Sequence, residues 1–424
     1  MWKKLASPAW AMLEYGSYPL LLFIATPWFL HQLGTGGYGH WMLLTATVGF
    51  GGVLNTGTGA ATIKAVSAGI GRGRDRDVEH TVKVSLAIAT LGGSALALLV
   101  FSVFSIAGPT LLSRMGDPAL IRLTGVAAAA LIWLEQLDNV FSSAMKGAEQ
   151  FGQAARIEIA SKTTQIVAAG LVLWMWPTLW ALYATLLIVA VLRLIAKTII
   201  ARRLLGLTNL RPTMVGASTI LHFAKWGWLQ GVGGMLFGVA DRMLVGSLLG
   251  ASSLTYYSIA SQLAMQIHAV SAAGLSVIFP KVSRKLEGNT RFSLLRIMKF
   301  TMVGNLLFSS ILAATLLLFG QELLVFWLGA SQAQPVAKVL PYLVLAYWLL
   351  ALNVTPHYIL LSLGRFRFVA ATNLVAGTIF ILIISITATT YGLIGVATAR
   401  SIYGAIILVN FLPLITHFRQ KLCK

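Results

Sequence analysis

Charged side chains embedded in apolar sequence are the groups most able to do chemistry in this chain. Asp241 and Arg242 adjoin within one hydrophobic run, and Arg400 lies within another. A charge at mid-bilayer depth is costly unless it faces protein, water or a partner. A guanidinium is planar and offers paired donors that match phosphate oxygens bidentately. Arg242 or Arg400 is therefore a candidate contact for a phosphorylated headgroup. The alternative is a structural ion pair that neutralises Asp241 and fixes helix packing. Neighbouring residues point about 100° apart on a helix, so if one of Asp241 and Arg242 lines a cavity, the other packs against an adjacent helix. Arg400 sits at a similar depth in its own run, which permits an Asp241–Arg400 ion pair.

A second constellation is Glu135 and Asp138, three residues apart and so on one helix face, with Gln136 and Asn139 beside them. Glu14 and Lys64 fall near the same side of the membrane. Together these residues are candidates for an inner gate or a proton site, since a buried carboxylate with a raised pKa can carry protons. The simpler interpretation is interfacial solvation with pairing to Lys64, Lys146 or Lys162. Pro19 and Pro27 interrupt the first apolar run. Each removes a backbone hydrogen bond, which predicts a bent helix. Gly231, Gly233, Gly234 and Gly238 permit close helix contact.

Other chemistries find no support. The seven histidines lack metal-ligand spacing, and no bound metal or other cofactor is expected. Gly69-Ile70-Gly71-Arg72-Gly73 has no preceding strand and is not a nucleotide fingerprint. No Ser/His/Asp arrangement or ATP-binding loop points to an enzyme or a primary pump. The single cysteine, Cys423, excludes an intrachain disulfide.

The elements that hold these residues are set by composition. Hydrophobic residues make up 57% of the 424 and charged residues 10%, with a mean hydropathy of +0.81. A soluble domain carries about 25% charged residues. Apolar runs of about 20 residues, each able to cross about 30 Å of hydrocarbon, fall at 10–33, 38–66, 81–108, 119–145, 154–176 and 178–204. A polar interval around Arg202–Thr213 follows, and then runs at 219–247, 253–280, 297–320, 336–363, 367–389 and 391–415. The prediction is an all-α integral membrane protein of about twelve transmembrane helices. Its two six-helix lobes, 1–208 and 209–424, would flank a central cavity.

The net charge of +20 suggests nucleic acid at first sight, but the basic residues cluster in short segments between apolar runs. With the N-terminus inside, 27 of the 32 Lys and Arg residues fall on inside loops and helix ends, as retention of basic loops in the cytoplasm requires. That pattern supports the span count, places both termini in the cytoplasm and excludes nucleic acid as a partner. The apolar run beginning at Trp10 is too long for a signal-peptide core and reads as an uncleaved first helix. Even span numbers give the two halves the same orientation. Leu33-Gly34 before Tyr38 and Leu249-Gly250 before Tyr256 and Tyr257 repeat weakly between them.

Several residues carry a family resemblance. They are the Leu33-Gly34 turn with Tyr38-Gly39, the glycine-rich end of the second run (Asn55, Gly57, Gly59), and Asp241-Arg242-Met243-Leu244-Val245-Gly246-Ser247-Leu248-Leu249-Gly250 with Tyr256. Together they resemble the polysaccharide transporter branch of the multidrug/oligosaccharidyl-lipid/polysaccharide (MOP) exporter superfamily, over essentially the whole chain. The resemblance implies a V of two lobes that alternates between inward-open and outward-open states. It makes the bent helix at Pro19 and Pro27 a candidate gating element, while ordinary packing is the alternative. It implies a flippase for an undecaprenyl-diphosphate-linked oligosaccharide in the inner membrane, working with membrane lipids and with a polysaccharide polymerase and assembly proteins. The alternative is a cation-coupled multidrug carrier of the same superfamily. Some relatives hold sodium on an Asp of the seventh span with polar groups of the last two. Here Asp241 matches the Asp, Asn373 lies nearer the cytoplasmic end, and Arg400 replaces a polar ligand, so no bound cation is expected. A membrane-embedded glycosyltransferase would need a large outer loop, and none exceeds about 20 residues.

Overall fold

The computed structural model describes residues 2–275, 291–363 and 365–414. Of the basic residues assigned to inside loops, Lys281, Arg284, Lys285, Arg419, Lys421 and Lys424 lie outside the described residues, as does Cys423.

The expected spans are helical over most of their described residues, the run at 219–247 being broken at Val239. The helices are α1 (Trp2–Gly71), α2 (Asp75–Ser102), the single turn α3 (Gly108–Leu111), α4 (Pro118–Gly147), α5 (Phe151–Met175), α6 (Leu179–Leu205), α7 (Ala217–Gly238) and α8 (Ala240–Leu249). They continue as α9 (Ala251–Leu275), α10 (Arg291–Leu328), α11 (Ala330–Ser362) and α12 (Phe366–Ile407). A backbone without water must satisfy its hydrogen bonds within the segment, and a helix does so. Among the described residues, six stretches are long and apolar enough to cross a membrane by length and composition alone: Arg76–Leu111, Pro118–Gly147, Leu179–Leu205, Lys299–Leu328, Ala330–Ser362 and Arg367–Leu414.

Two long helices each contain two expected spans, divided at a glycine. Gly34 in α1 has φ 67° and ψ 176°, and Gly392 in α12 has φ 56° and ψ −139°. Residues with a Cβ rarely adopt such angles, so these glycines mark the turns between spans one and two and between spans eleven and twelve. Gly34 is the one non-helical residue inside α1. Pro19 and Pro27 lie within continuous helix.

Packing divides the chain into two compact units, Met1–Ser252 and Ser253–Lys424. In the first, α4 packs against α1, α2 and α6, and α7 runs along α1. Glycines set the α1–α7 approach. A Cβ on Gly57 would lie 2.3 Å from Trp228 Cδ1 and 2.4 Å from the Ala224 carbonyl, and one on Gly227 would lie 2.5 Å from Gly57 Cα. Trp228 Nε1 donates to the Leu54 carbonyl at 3.1 Å along the same seam. The compact units follow packing and the 208/209 boundary follows span number, so the two need not coincide.

The interval after α6 is pinned to the first unit. Glu79 Oε2 accepts from Thr208 N at 2.9 Å and Thr208 Oγ1 at 2.8 Å, while Glu79 Oε1 pairs with Lys83 Nζ at 2.5 Å. Leu207 is buried in the cluster formed by Val66, Val82, Val140 and Phe141.

In the second unit α11 packs between α10 and α12. Asn305 Nδ2 donates to the Ala351 carbonyl at 2.7 Å, Asn410 Nδ2 to Asn353 Oδ1 at 3.0 Å, and Trp348 Nε1 to Ser310 Oγ at 3.1 Å. Interhelical hydrogen bonds of this kind hold helices together in lipid, where burial of apolar surface alone gives no driving force.

Candidate functional site

Three helices of the first unit bring their few charges to one place. On α4, Glu135, Asp138 and Ser142 recur at helical spacing. On α5, Glu158 and Lys162 are four residues apart, as are Arg193 and Lys197 on α6. These residues line a cavity of about 620 Å³ whose α1 wall includes Thr45, Gly49, Gly52, Asn55 and Gly59. The glycines leave that wall open. A Cβ on Gly51, one residue away, would already lie 3.1 Å from Gln136 Nε2, and Gln136 donates there to the Gly51 carbonyl at 3.0 Å.

Lys197 is the fixed centre of the cluster. Its side chain is 1% exposed, and Nζ lies 2.6 Å from Asp138 Oδ2, 2.7 Å from Glu158 Oε2 and 3.0 Å from Ser142 Oγ. An ammonium has three N–H donors, and all three find an acceptor. Glu158 also pairs with Lys162 at 3.2 Å.

Arg193 is held differently. Its side chain is 11% exposed, and its contacts are 3.4 Å to Asp138, 3.5 Å to Glu158 and 3.8 Å to Glu135. Nε of Arg193 and Oδ1 of Asp138 are buried without a hydrogen-bond partner. Six side chains thus form a linked network of three cations and three carboxylates. Lys146 also lines the cavity. Partnering lowers the large cost of burying each charge.

The sequence-derived candidates fall in several places. Glu135 and Asp138 are in this network, and Lys146 and Lys162 line the same cavity. Lys64 stands 4.3 Å over the Phe223 ring. Glu14 lies on α1, and its side chain is outside the described ones. Asp241 and Arg242 open α8 just after the break at Val239 (φ −130°, ψ −42°). Asp241 is 2% exposed, and its Oδ1 accepts from the Arg242 backbone N at 2.8 Å. A carboxylate there also faces the positive end of the helix dipole. Arg242 is half-buried. Arg400 belongs to the second unit, is 1% exposed, and lies 5.1 Å from the Tyr347 ring centre and 5.5 Å from that of Phe380. The sequence reading did not single out Glu158, Arg193 or Lys197 as site residues. Among the described residues, no group of His, Cys, Asp and Glu is arranged to hold a metal ion.

A family model described as "Polysaccharide biosynthesis protein" matches residues 74–304, more than half of the chain. A Shigella flexneri protein described as "Putative O-antigen transporter" is 22% identical over 413 residues, covering 93% of each chain. Among solved structures, the lipid II flippase MurJ in an inward closed conformation superposes with a TM-score of 0.78 at 17% identity, covering 96% of this chain and 87% of that one. An inward-facing multidrug resistance MATE transporter of the MOP superfamily gives 0.72 at 16% identity, covering 93% of each. The fold is that of MATE and MurJ transporters.

Proposed function

We propose, on the premise that this chain belongs to the polysaccharide biosynthesis protein family, that it carries an undecaprenyl-diphosphate-linked oligosaccharide across the inner membrane. The cargo would be an O-antigen or exopolysaccharide repeat unit, moved by alternating access. The chain is a multi-pass membrane transporter of polysaccharide biosynthesis; cargo, direction and mechanism are the proposal.

The supporting observation is the cavity of the first unit. Its volume of about 620 Å³ falls in the ~300–1,000 Å³ range of small-molecule sites. Among the described side chains its basic groups Lys162, Arg193 and Lys197 are gathered on one side of the cavity lining and offer N–H donors to an anion. A cationic drug calls for a carboxylate to spare, yet the three carboxylates here are each paired with a cation. Arg242, half-buried at the start of α8, is a further proposed headgroup cation. Translocation makes and breaks no covalent bond, so no catalytic residue is assigned. The basic loops would hold both termini in the cytoplasm, where lipid-linked precursors are loaded, and a polymerase and assembly proteins would take up the exported unit.

The test is leaflet translocation of a defined lipid-linked oligosaccharide in liposomes containing the purified protein, with efflux of a cationic dye measured alongside. Glycolipid movement without dye efflux is the expected result. Dye efflux without glycolipid movement would replace this reading with the drug carrier.

A further inference from the structure

We propose that Arg193 is a phosphoryl-binding residue which Glu135 occupies when the cavity is empty and releases when the headgroup enters. The inference rests on the flippase reading above and names the group that meets the diphosphate.

The two buried cations of α6 differ in what they have left to give. Lys197 has spent all three donors on Asp138, Glu158 and Ser142 at 2.6–3.0 Å. Arg193 has five N–H donors, and its three carboxylate contacts begin at 3.4 Å. Each of its nitrogens faces a carboxylate at long range, Nε at 3.4 Å from Asp138, Nη1 at 3.5 Å from Glu158 and Nη2 at 3.8 Å from Glu135. Charge-assisted N–H···O contacts settle at about 2.7–2.9 Å when geometry allows. The carboxylates therefore neutralise Arg193 without filling its fork. A phosphoryl group supplies the missing geometry, with two oxygens on adjacent N–H groups.

The carboxylates are not equally replaceable. Asp138 and Glu158 are anchored by Lys197, and Glu158 by Lys162 as well. Glu135 makes the longest contact, 3.8 Å to Arg193, and its side chain is 35% exposed where the other members of the triad of acids are nearly buried. It lines the cavity and can turn into that space without breaking a close pair. The exchange is one anion for another on Arg193, and the Lys197 pairs stay closed.

A purely structural network and an exchange site respond in opposite directions when Glu135 is neutralised. Binding of geranyl diphosphate to the purified full chain in detergent provides the readout, with geraniol as the phosphate-free comparison. In the exchange site, Glu135→Gln removes the competitor and tightens geranyl diphosphate binding by about tenfold, whereas Arg193→Lys loses the fork and weakens it by about as much. Geraniol binding is unchanged in both, and Lys338→Gln, which removes an exposed charge of the second unit, leaves all affinities as in the parent. Weaker or unaltered diphosphate binding by Glu135→Gln overturns the proposal, as does full affinity in Arg193→Lys. Should Arg193→Lys fail to fold, Glu135→Gln alone decides. A parent protein that flips lipid-linked oligosaccharide while both variants bind like it removes Arg193 and leaves the flippase reading standing. A parent that moves only the cationic dye removes both.

Discussion

Lys197 Nζ lies 2.6 Å from Asp138 Oδ2, joining α6 to α4 through two residues 59 apart in sequence. Neither residue reaches water easily, and each removes the cost of burying the other. The pair and its Glu158 extension lock α4, α5 and α6 together at the level of the cavity.

Removing one partner should therefore cost more than removing both. Lys197→Met leaves Asp138 and Glu158 buried without their closest cation, and a loss of about 3–5 kcal/mol is expected. The double variant Lys197→Met with Asp138→Asn should recover part of it. Thermal unfolding in detergent checks this, and a double variant no better than the single one would mean that the pair carries no coupling.

The α1–α7 seam should be intolerant of added volume. A Cβ at Gly57 would fall 2.3 Å from Trp228 Cδ1, and Trp228 is held by its hydrogen bond to Leu54. Gly57→Ala is expected to cost about 1–3 kcal/mol. Gly71→Ala, where a Cβ meets nothing within 4 Å, should leave the melting temperature nearly unchanged.

Glu79 should govern the order of the segment after α6. Glu79→Gln weakens the grip on Thr208 N and Oγ1 and on Lys83, each such hydrogen bond contributing about 0.5–1.5 kcal/mol. Faster amide exchange over 206–213 is the expected outcome, with α4 unaffected.

The two arginines first singled out should separate by phenotype. Arg400 is enclosed by Tyr347 and Phe380, so Arg400→Ala is expected to lower stability by about 1–2 kcal/mol, with Lys restoring part of it. Arg242→Ala is expected to impair glycolipid translocation while leaving the melting temperature close to that of the parent. Full export by both alanine variants would take the phosphate role from both positions.

How much of this was legible beforehand depends on whether the governing constraint is local. The bilayer imposes a continuous apolar run for each crossing, so hydropathy finds the spans, although helices run past several expected ends, α1 starting at Trp2 rather than 10 and α10 covering Arg291–Leu328 rather than 297–320. Gly34 is legible as a turn because it separates two such runs. Glu135 and Asp138 stand out because the chain has only 12 acidic residues. Arg193 and Lys197 do not, because a basic residue towards a helix end reads as a loop anchor. Depth was the available signal: Arg193 precedes the end of its helix at Leu205 by about 18 Å at 1.5 Å per residue, too far for a simple anchor. The pairing of α4 with α5 and α6 is tertiary information with no local pattern, and so is the meeting of residues 347, 380 and 400. Lys64 illustrates the same limit, since its neighbour Phe223 lies on a helix whose proximity to α1 depends on Gly57 and Gly227.

The network of Glu135, Asp138, Glu158, Lys162, Arg193 and Lys197 has equal numbers of positive and negative side chains. Moving one elementary charge through the membrane potential involves about 2.3 kcal/mol per 100 mV. A set that sums to zero and shifts as one body does no such electrical work. If alternating access moves the first unit, these six residues would be a silent passenger in the field, contributing no gating charge. Any voltage dependence of transport must then arise from charges outside this set, the anionic cargo foremost among them, and an empty carrier should give up almost no transient current through these groups.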